Sequence, residues 1–201
     1  PSASAAVLSH DVQIAGAGIT TVFDAVSVGE YSAASARRQM ITTTVETVSN
    51  PRIREVLKAE HLLHLRCELA DPAVMDIYQP IAGNPFVKLV SLMDHTPGQR
   101  QWADLEKWRQ FNRDKKWTDM EFEAMVAKRK ADQAKHAEIH RRSVIALARH
   151  YGTVMASHDD TTREHVEEAV AEGIAISEFP TTLGAAGHAA KRGMKVVMGA
   201  P

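Results

Sequence analysis

Short β-rich runs alternate with helix-patterned segments along the chain, and no other property of the sequence restricts its fold so tightly. The runs are Ile19 to Ala25, His64 to Leu69, Phe86 to Met93, Thr153 to Ser157, Gly173 to Phe179 and Met194 to Met198. Alternation of this kind predicts βαβ units and a parallel sheet. Several runs are apolar almost throughout, as in Val87-Lys88-Leu89-Val90-Ser91-Leu92-Met93. That suits a strand covered on both faces, whereas a one-sided antiparallel strand alternates more cleanly.

Helix signals fall between the runs. Thr118 with Glu121, and Thr161 with Glu164, have the spacing of capping boxes. Gly152, Gly173 and Gly193 punctuate helix ends before the next strand. The segment 102–150 is long, charged and helical by propensity, and its break near Lys115-Lys116-Trp117 divides it into two helices, an insertion larger than one crossover helix. About six strands are legible, against the eight of a closed (β/α) barrel. The expected fold is therefore α/β, a partial TIM-type barrel with a helical insertion: one incomplete domain over 1–201, with the first and last barrel strands missing. Pro1 to Leu8 has neither an initiator Met nor a basic stretch before an apolar run, so it does not read as a signal peptide. Val196 to Pro201 stops where a strand would deliver its loop.

Composition narrows the function classes. With 44% hydrophobic and 24% charged residues over 201 positions, the chain holds enough apolar material for a sizeable core. A net charge of −1 provides no general field for nucleic acid or an anionic membrane, so anion recognition must be local. The single cysteine, Cys67, excludes an intramolecular disulfide, and no apolar run is long enough to span a bilayer. A reducing cytoplasm fits these features. A small phosphorylated molecule is the expected partner, with no nucleic acid and no membrane; a homo-oligomer is compatible with the sequence.

In a parallel barrel the reactive side chains gather at the C-terminal ends of the strands. The run Leu89 to Met93 leads into Asp94-His95, and Val154 to Ser157 leads into His158-Asp159-Asp160. The run through His64 ends in Glu68. Two histidines and a carboxylate on one edge make a plausible set of divalent-metal ligands, so Glu68, His95 and His158 are the candidates. Any one of them could instead cap a helix or a loop. A metal among them would generate hydroxide near neutral pH, which permits hydrolysis without a protein nucleophile. Lys88 is a rival as a carbamylated ligand, but it lies too far upstream of His95. Arg66, Gln99 and Arg100 could bind phosphate oxygens, with Arg66 equally suited to a structural ion pair. Glu178, ending its own run, and Thr181 could serve the substrate or a loop cap. Lys107, Arg109, Arg113, Lys115 and Lys116 could close over a polyanion, although a solvated helix face is the commoner explanation. His10 and Asp11, read as the start of a helix leading into Gly16, suit packing or capping.

The segments His61-Leu62-Leu63-His64-Leu65-Arg66-Cys67-Glu68, Leu92-Met93-Asp94-His95-Thr96-Pro97-Gly98-Gln99, Ala156-Ser157-His158-Asp159-Asp160 and Ser177-Glu178-Phe179-Pro180-Thr181-Thr182, in that order, resemble the ribose methylphosphonate triphosphate diphosphatases. These are amidohydrolase-superfamily enzymes of the carbon–phosphorus lyase pathway. The resemblance implies hydrolysis of α-D-ribose 1-methylphosphonate 5-triphosphate to the 5-phosphate and pyrophosphate. It also implies a divalent metal ion, zinc or manganese, at Glu68, His95 and His158. The family's early His-x-x-His-type strand would precede Pro1 and its late acidic strand would follow Pro201, so further ligands and the general base are expected outside the chain, and the chain alone is expected to be inactive. The competing expectations are an amidohydrolase for a cyclic amide or N-acyl substrate and a non-catalytic barrel scaffold.

Overall fold

The structure, a computed structural model, describes residues 3–29 and 36–199. Six strands form one sheet: β1 (Thr21–Val28), β2 (Glu60–Glu68), β3 (Val87–Met93), β4 (Val154–His158), β5 (Ile176–Glu178) and β6 (Lys195–Val197). They lie side by side in chain order, and every neighbouring pair is parallel. Each falls within or overlaps one of the six runs. β1 extends beyond its run to Val28, because Val26 and Val28 continue its buried side.

Parallel neighbours require crossover connections, and helices supply them. Helix α1 (Ala3–Gly16) precedes β1. Helices α2 (Ala36–Ser49) and α3 (Pro51–Arg54) lead to β2, and α4 (Val74–Tyr78) leads to β3. Next come α5 (Leu105–Phe111) and α6 (Asp119–Tyr151) before β4, then α7 (Arg163–Ala171) before β5 and α8 (Leu183–Lys191) before β6. Among the described residues, no helix is long and apolar enough to cross a membrane.

Side-chain alternation sorts the strands into two faces. Val26, Val28, Leu63, Leu65, Cys67, Val90, Leu92 and Met155 join one buried cluster with Ile41, Val45 and Val48 of α2, Val144 and Ala148 of α6, and Val166 of α7. Burying a side chain of this size contributes roughly 1.5–3 kcal/mol, so this face holds the helices to the sheet. The intervening positions, His64, Arg66, Glu68, Ser91, His158 and Glu178, fall on the other face. There the strands are not apolar throughout, because the polar residues pair with one another. Toward the other end of that face Phe23, Leu89, Val154 and Val197 line an apolar hollow of about 510 Å³.

The 33-residue α6 serves two bodies. Its C-terminal half packs on the sheet, whereas its N-terminal half buries Phe122 and Val126 with Trp108 of α5 in a second cluster. Thr118 and Glu121 close the capping box at its start, and Gly152 ends it with φ of 67°. The break before it is a 3-10 turn, Arg113–Lys115, followed by Lys116 in the left-handed region.

Two expectations are corrected. The cap of α7 is Thr162, whose hydroxyl accepts the His165 N–H, while Thr161 is turned back to donate to the Asp159 carbonyl. The left-handed Asp159 reverses the chain there, so the helix begins one residue later than the Thr161–Glu164 spacing implied. Asp11 lies well inside α1, which begins at Ala3 and not at His10. Its buried carboxylate accepts the Lys58 and Ala59 N–H groups at the start of β2. Burial works against that charge, but these donors and His61 outweigh it and hold the Asp11 pKa below its ordinary value. Pro1, Ala200 and Pro201, where the sequence placed cut ends, lie outside the described residues.

Candidate metal centre

Because the strands are parallel, their C-terminal ends share one edge, and the loop after β3 brings His95 to it beside His158 of β4. The two rings meet edge to face with centroids 5.2 Å apart. Each Nε2 lies 3.5 Å from Oδ2 of Asp159. One ligand atom from each of these three residues lies within 4.8 Å of the others. Among the described residues, the buried Asp159 Oδ2 has no hydrogen-bond partner, and Asp159 has φ of 52°. An unsatisfied buried acceptor and a left-handed non-glycine residue each cost free energy, and such costs cluster at functional sites. A cation drawn to all three atoms would satisfy that oxygen, so the donor set of two imidazoles and a carboxylate fits a divalent metal.

The histidines are oriented from behind. His95 Nδ1 lies 2.5 Å from Glu68 Oε2, and Glu68 Oε1 accepts the His95 backbone N–H at 2.9 Å. His158 Nδ1 lies 2.7 Å from Glu178 Oε2. A carboxylate accepts only, so each Nδ1 carries a proton, and Nε2 is left as the atom of each ring that faces Asp159. Burial disfavours a charged His95, but Asp159 and Glu68 outweigh it and raise its pKa to about 9.

Glu178 is the hub of a chain running under the centre. Ser91 donates its hydroxyl proton to Glu178 Oε2 at 2.7 Å, so His64 Nε2, 2.5 Å from the same hydroxyl oxygen, must be the donor. Arg66 donates to Glu178 Oε1 at 3.2 Å and makes a long contact of 3.4 Å with His158 Nε2. Burial would push the Glu178 carboxyl up, yet His158 and Ser91 pull harder and bring it to about 2. Burial pushes His64 down to about 4 against the pull of Glu178.

The other expected site residues are placed unevenly. Glu68 stands behind His95, and the third atom of the cluster comes from Asp159. Arg100, with φ of 47°, donates to the His158 carbonyl and to Asp160, so it ties the loops after β3 and β4 together. Gln99 has a buried Nε2 with no partner among the described residues. Thr181 donates to the Thr161 hydroxyl at an exposed loop. Lys88 lines the apolar hollow at the far end of the sheet. Asp159, Ser91 and His64 took no role in the sequence reading. The His-Asp-Asp run at the end of β4 was the one signal for Asp159, while Ser91 and His64 become visible only when strands are paired.

A cavity of about 660 Å³ separates the strand ends from the insertion. Ser27, Arg66, Glu68 and His95 line it from the sheet side, and Trp102, Trp108, Phe111 and Trp117 line it from the insertion. Gly29 borders it, with φ of 103° and with space for its missing Cβ only 3.1 Å from Glu68 Cβ.

Against known proteins, the chain is 40% identical over 200 residues to the alpha-D-ribose 1-methylphosphonate 5-triphosphate diphosphatase of Escherichia coli strain K12. The chain is a relative of that enzyme. The match takes in 99% of this chain and 53% of the E. coli diphosphatase, so the chain spans about half the length of the curated relative. No family model and no solved structure matches it.

Proposed function

We propose that the protein is a metal-dependent diphosphatase of phosphonate catabolism, cleaving α-D-ribose 1-methylphosphonate 5-triphosphate to the 5-phosphate and pyrophosphate. The observation that carries this reading is the convergence of His95 Nε2, His158 Nε2 and the unpartnered Asp159 Oδ2, in a chain related along nearly its whole length to a diphosphatase. The sheet then belongs to a (β/α) barrel of the amidohydrolase type.

His95, His158 and Asp159 would hold the ion, with zinc and manganese the best matches to these donors. When bound it would supply Lewis acidity, polarising a phosphoryl group and making water nucleophilic near neutral pH. Glu68 and Glu178 keep the two imidazoles in the tautomer that offers Nε2. Arg66 brings a fixed positive charge to the cavity wall beside His95, where it can meet phosphate oxygens. The remainder of the relative's length, which this chain does not span, is expected to bring further ligands and the general base.

The test is metal content and pyrophosphate release measured together with zinc or manganese supplied. Release that a chelator and His158→Ala both abolish supports the reading. A metal-loaded protein that releases no pyrophosphate points to a cyclic amide or N-acyl substrate, and failure to take up metal points to a non-catalytic scaffold.

A further inference from the structure

We infer that the helical insertion carries a polyphosphate-binding subsite, in which Lys115 and Arg129 hold the phosphate groups of a sugar polyphosphate against the tryptophan wall. This rests on the diphosphatase reading, because the same cavity opens onto His95.

Charge is the first support. Besides Arg66, Glu68 and His95, the charged residues lining the cavity are Lys115 and Arg129. Among the described residues, three fixed cations and one carboxylate therefore line the cavity; Glu68 is bonded to His95, Arg66 to Glu178 and Lys115 to Asp114. A cavity with this imbalance attracts a multiply charged anion. The cations also come from three elements: β2, the turn after α5, and α6. A ligand with phosphates spread along its length could engage them together.

Placement separates these two from their neighbours. Arg109 is turned toward Asp119 and the Phe122 ring, and Arg113 and Lys116 line a different surface hollow. Of the five basic residues between Lys107 and Lys116, Lys115 is the one on the cavity over the metal centre. Its ion pair with Asp114, at 3.4 Å with both side chains more than half exposed, is of the kind that contributes little and yields readily to a phosphate. Arg129, on α6 one turn beyond Met125, which lines the same cavity, adds a planar fork suited to phosphate oxygens.

The aromatic wall is the second, independent support. All three tryptophans of the chain, Trp102, Trp108 and Trp117, line this cavity. Trp108 and Trp117 stack at 5.5 Å, and Trp102 packs on Phe111 at 4.8 Å. Trp108 is buried behind the wall, whereas half-buried Trp102 and Trp117 and exposed Phe111 present apolar ring surface beside the cations, which suits the C–H face of a sugar whose phosphates lie to the side. A cavity of about 660 Å³ falls in the ordinary range for small-ligand sites.

Because all three tryptophans line the cavity, their emission responds to a ligand bound there, and Arg113→Ala controls for binding at the neighbouring hollow that Trp117 also lines. The experiment titrates inorganic tripolyphosphate, without metal, into the protein and into Lys115→Ala, Arg129→Ala and Arg113→Ala. A saturable change in emission is expected, with Kd raised about tenfold by each of the first two substitutions and unchanged by the third. Should Arg129→Ala fail to fold, Lys115→Glu, at an exposed turn, carries the comparison with a larger loss. Absence of saturable binding, unchanged affinity at Lys115, or an equal loss in Arg113→Ala would overturn the subsite. A protein that binds tripolyphosphate as expected but releases no pyrophosphate keeps the subsite and sinks the diphosphatase reading. Pyrophosphate release with affinity indifferent to Lys115 does the reverse.

Discussion

Replacing Glu178 by Gln tests the hub beneath the candidate metal centre. The carboxylate accepts from Ser91, His158 and Arg66 and is nearly buried, with 8% of the side chain exposed. Burial raises its pKa, but the donors win and take it from 4.5 to about 2. At about 1.4 kcal/mol per unit, that difference corresponds to roughly 3 kcal/mol of stability held by the charged form. A depressed carboxyl pKa means that the folded protein binds fewer protons than the unfolded chain between the two values. The contribution is therefore complete above pH 4.5 and is lost as pH falls through about 2. Urea unfolding of the protein and of Glu178→Gln at pH 7, 5, 4 and 3 should give a gap of roughly 3 kcal/mol at pH 7, narrowing on the acid side. For a chain of this length that gap corresponds to about 6–12 °C in Tm. A gap under about 0.5 kcal/mol at pH 7, or one that stays constant down to pH 3, would refute the reasoning, since the bonds would then not favour the charged form.

Four other outcomes are expected. His64 is held neutral, so its contribution is present above pH 6.5 and declines as pH falls toward about 4; the stability difference between the protein and His64→Gln should shrink by about 3 kcal/mol across that window in denaturant titrations. Asp159→Asn removes the unpartnered oxygen and should weaken zinc binding at least tenfold in a competition titration with a chromogenic chelator, with the far-UV spectrum unchanged. Gly29→Ala places a Cβ against Glu68 at a positive φ and should cost about 1–3 kcal/mol in thermal unfolding, together with weaker metal binding because Glu68 holds His95. Thr118→Ala opens the capping box of α6 and should cost about 1 kcal/mol while leaving metal affinity untouched.

The sheet was legible because its signal is redundant. Six runs, each bounded by turn residues, specify parallel strands even when single boundaries slip, as at β1. Local caps were legible only where nothing distant competes. Thr118 obeys its spacing because Asp119 onward is free to start a helix, whereas Thr161 follows the left-handed Asp159 by two residues and donates back to its carbonyl. Periodicity also misjudged the second face of the strands. Val87 to Met93 reads as apolar throughout, yet Ser91 turns out to be the link between His64 and Glu178, 27 and 87 residues away in sequence. A lone serine in an apolar strand gives no sign of which partners pairing will bring.

The same physics explains why the sequence could place His95 and His158 on one edge of the sheet and could not place the carboxylates behind them. Strand-end position is a local property, readable once the βα order is known. The division of labour between a ligand and the group that orients it depends on which carboxylate stands behind the ring. Glu68 and Asp159 both follow the strand-end rule, and sequence alone favoured Glu68. In the fold, Glu68 on β2 neighbours the loop carrying His95 and takes its Nδ1 proton, while Asp159, next to His158 in sequence, is swung by its positive φ toward both Nε2 atoms. Each histidine thus draws its orienting carboxylate from a neighbouring strand, Glu68 for His95 and Glu178 for His158. The geometry of the centre is consequently set by strand register: a one-residue slip of β2 against β3 or of β5 against β4 would turn the carboxylate to the opposite face and leave an imidazole free to rotate.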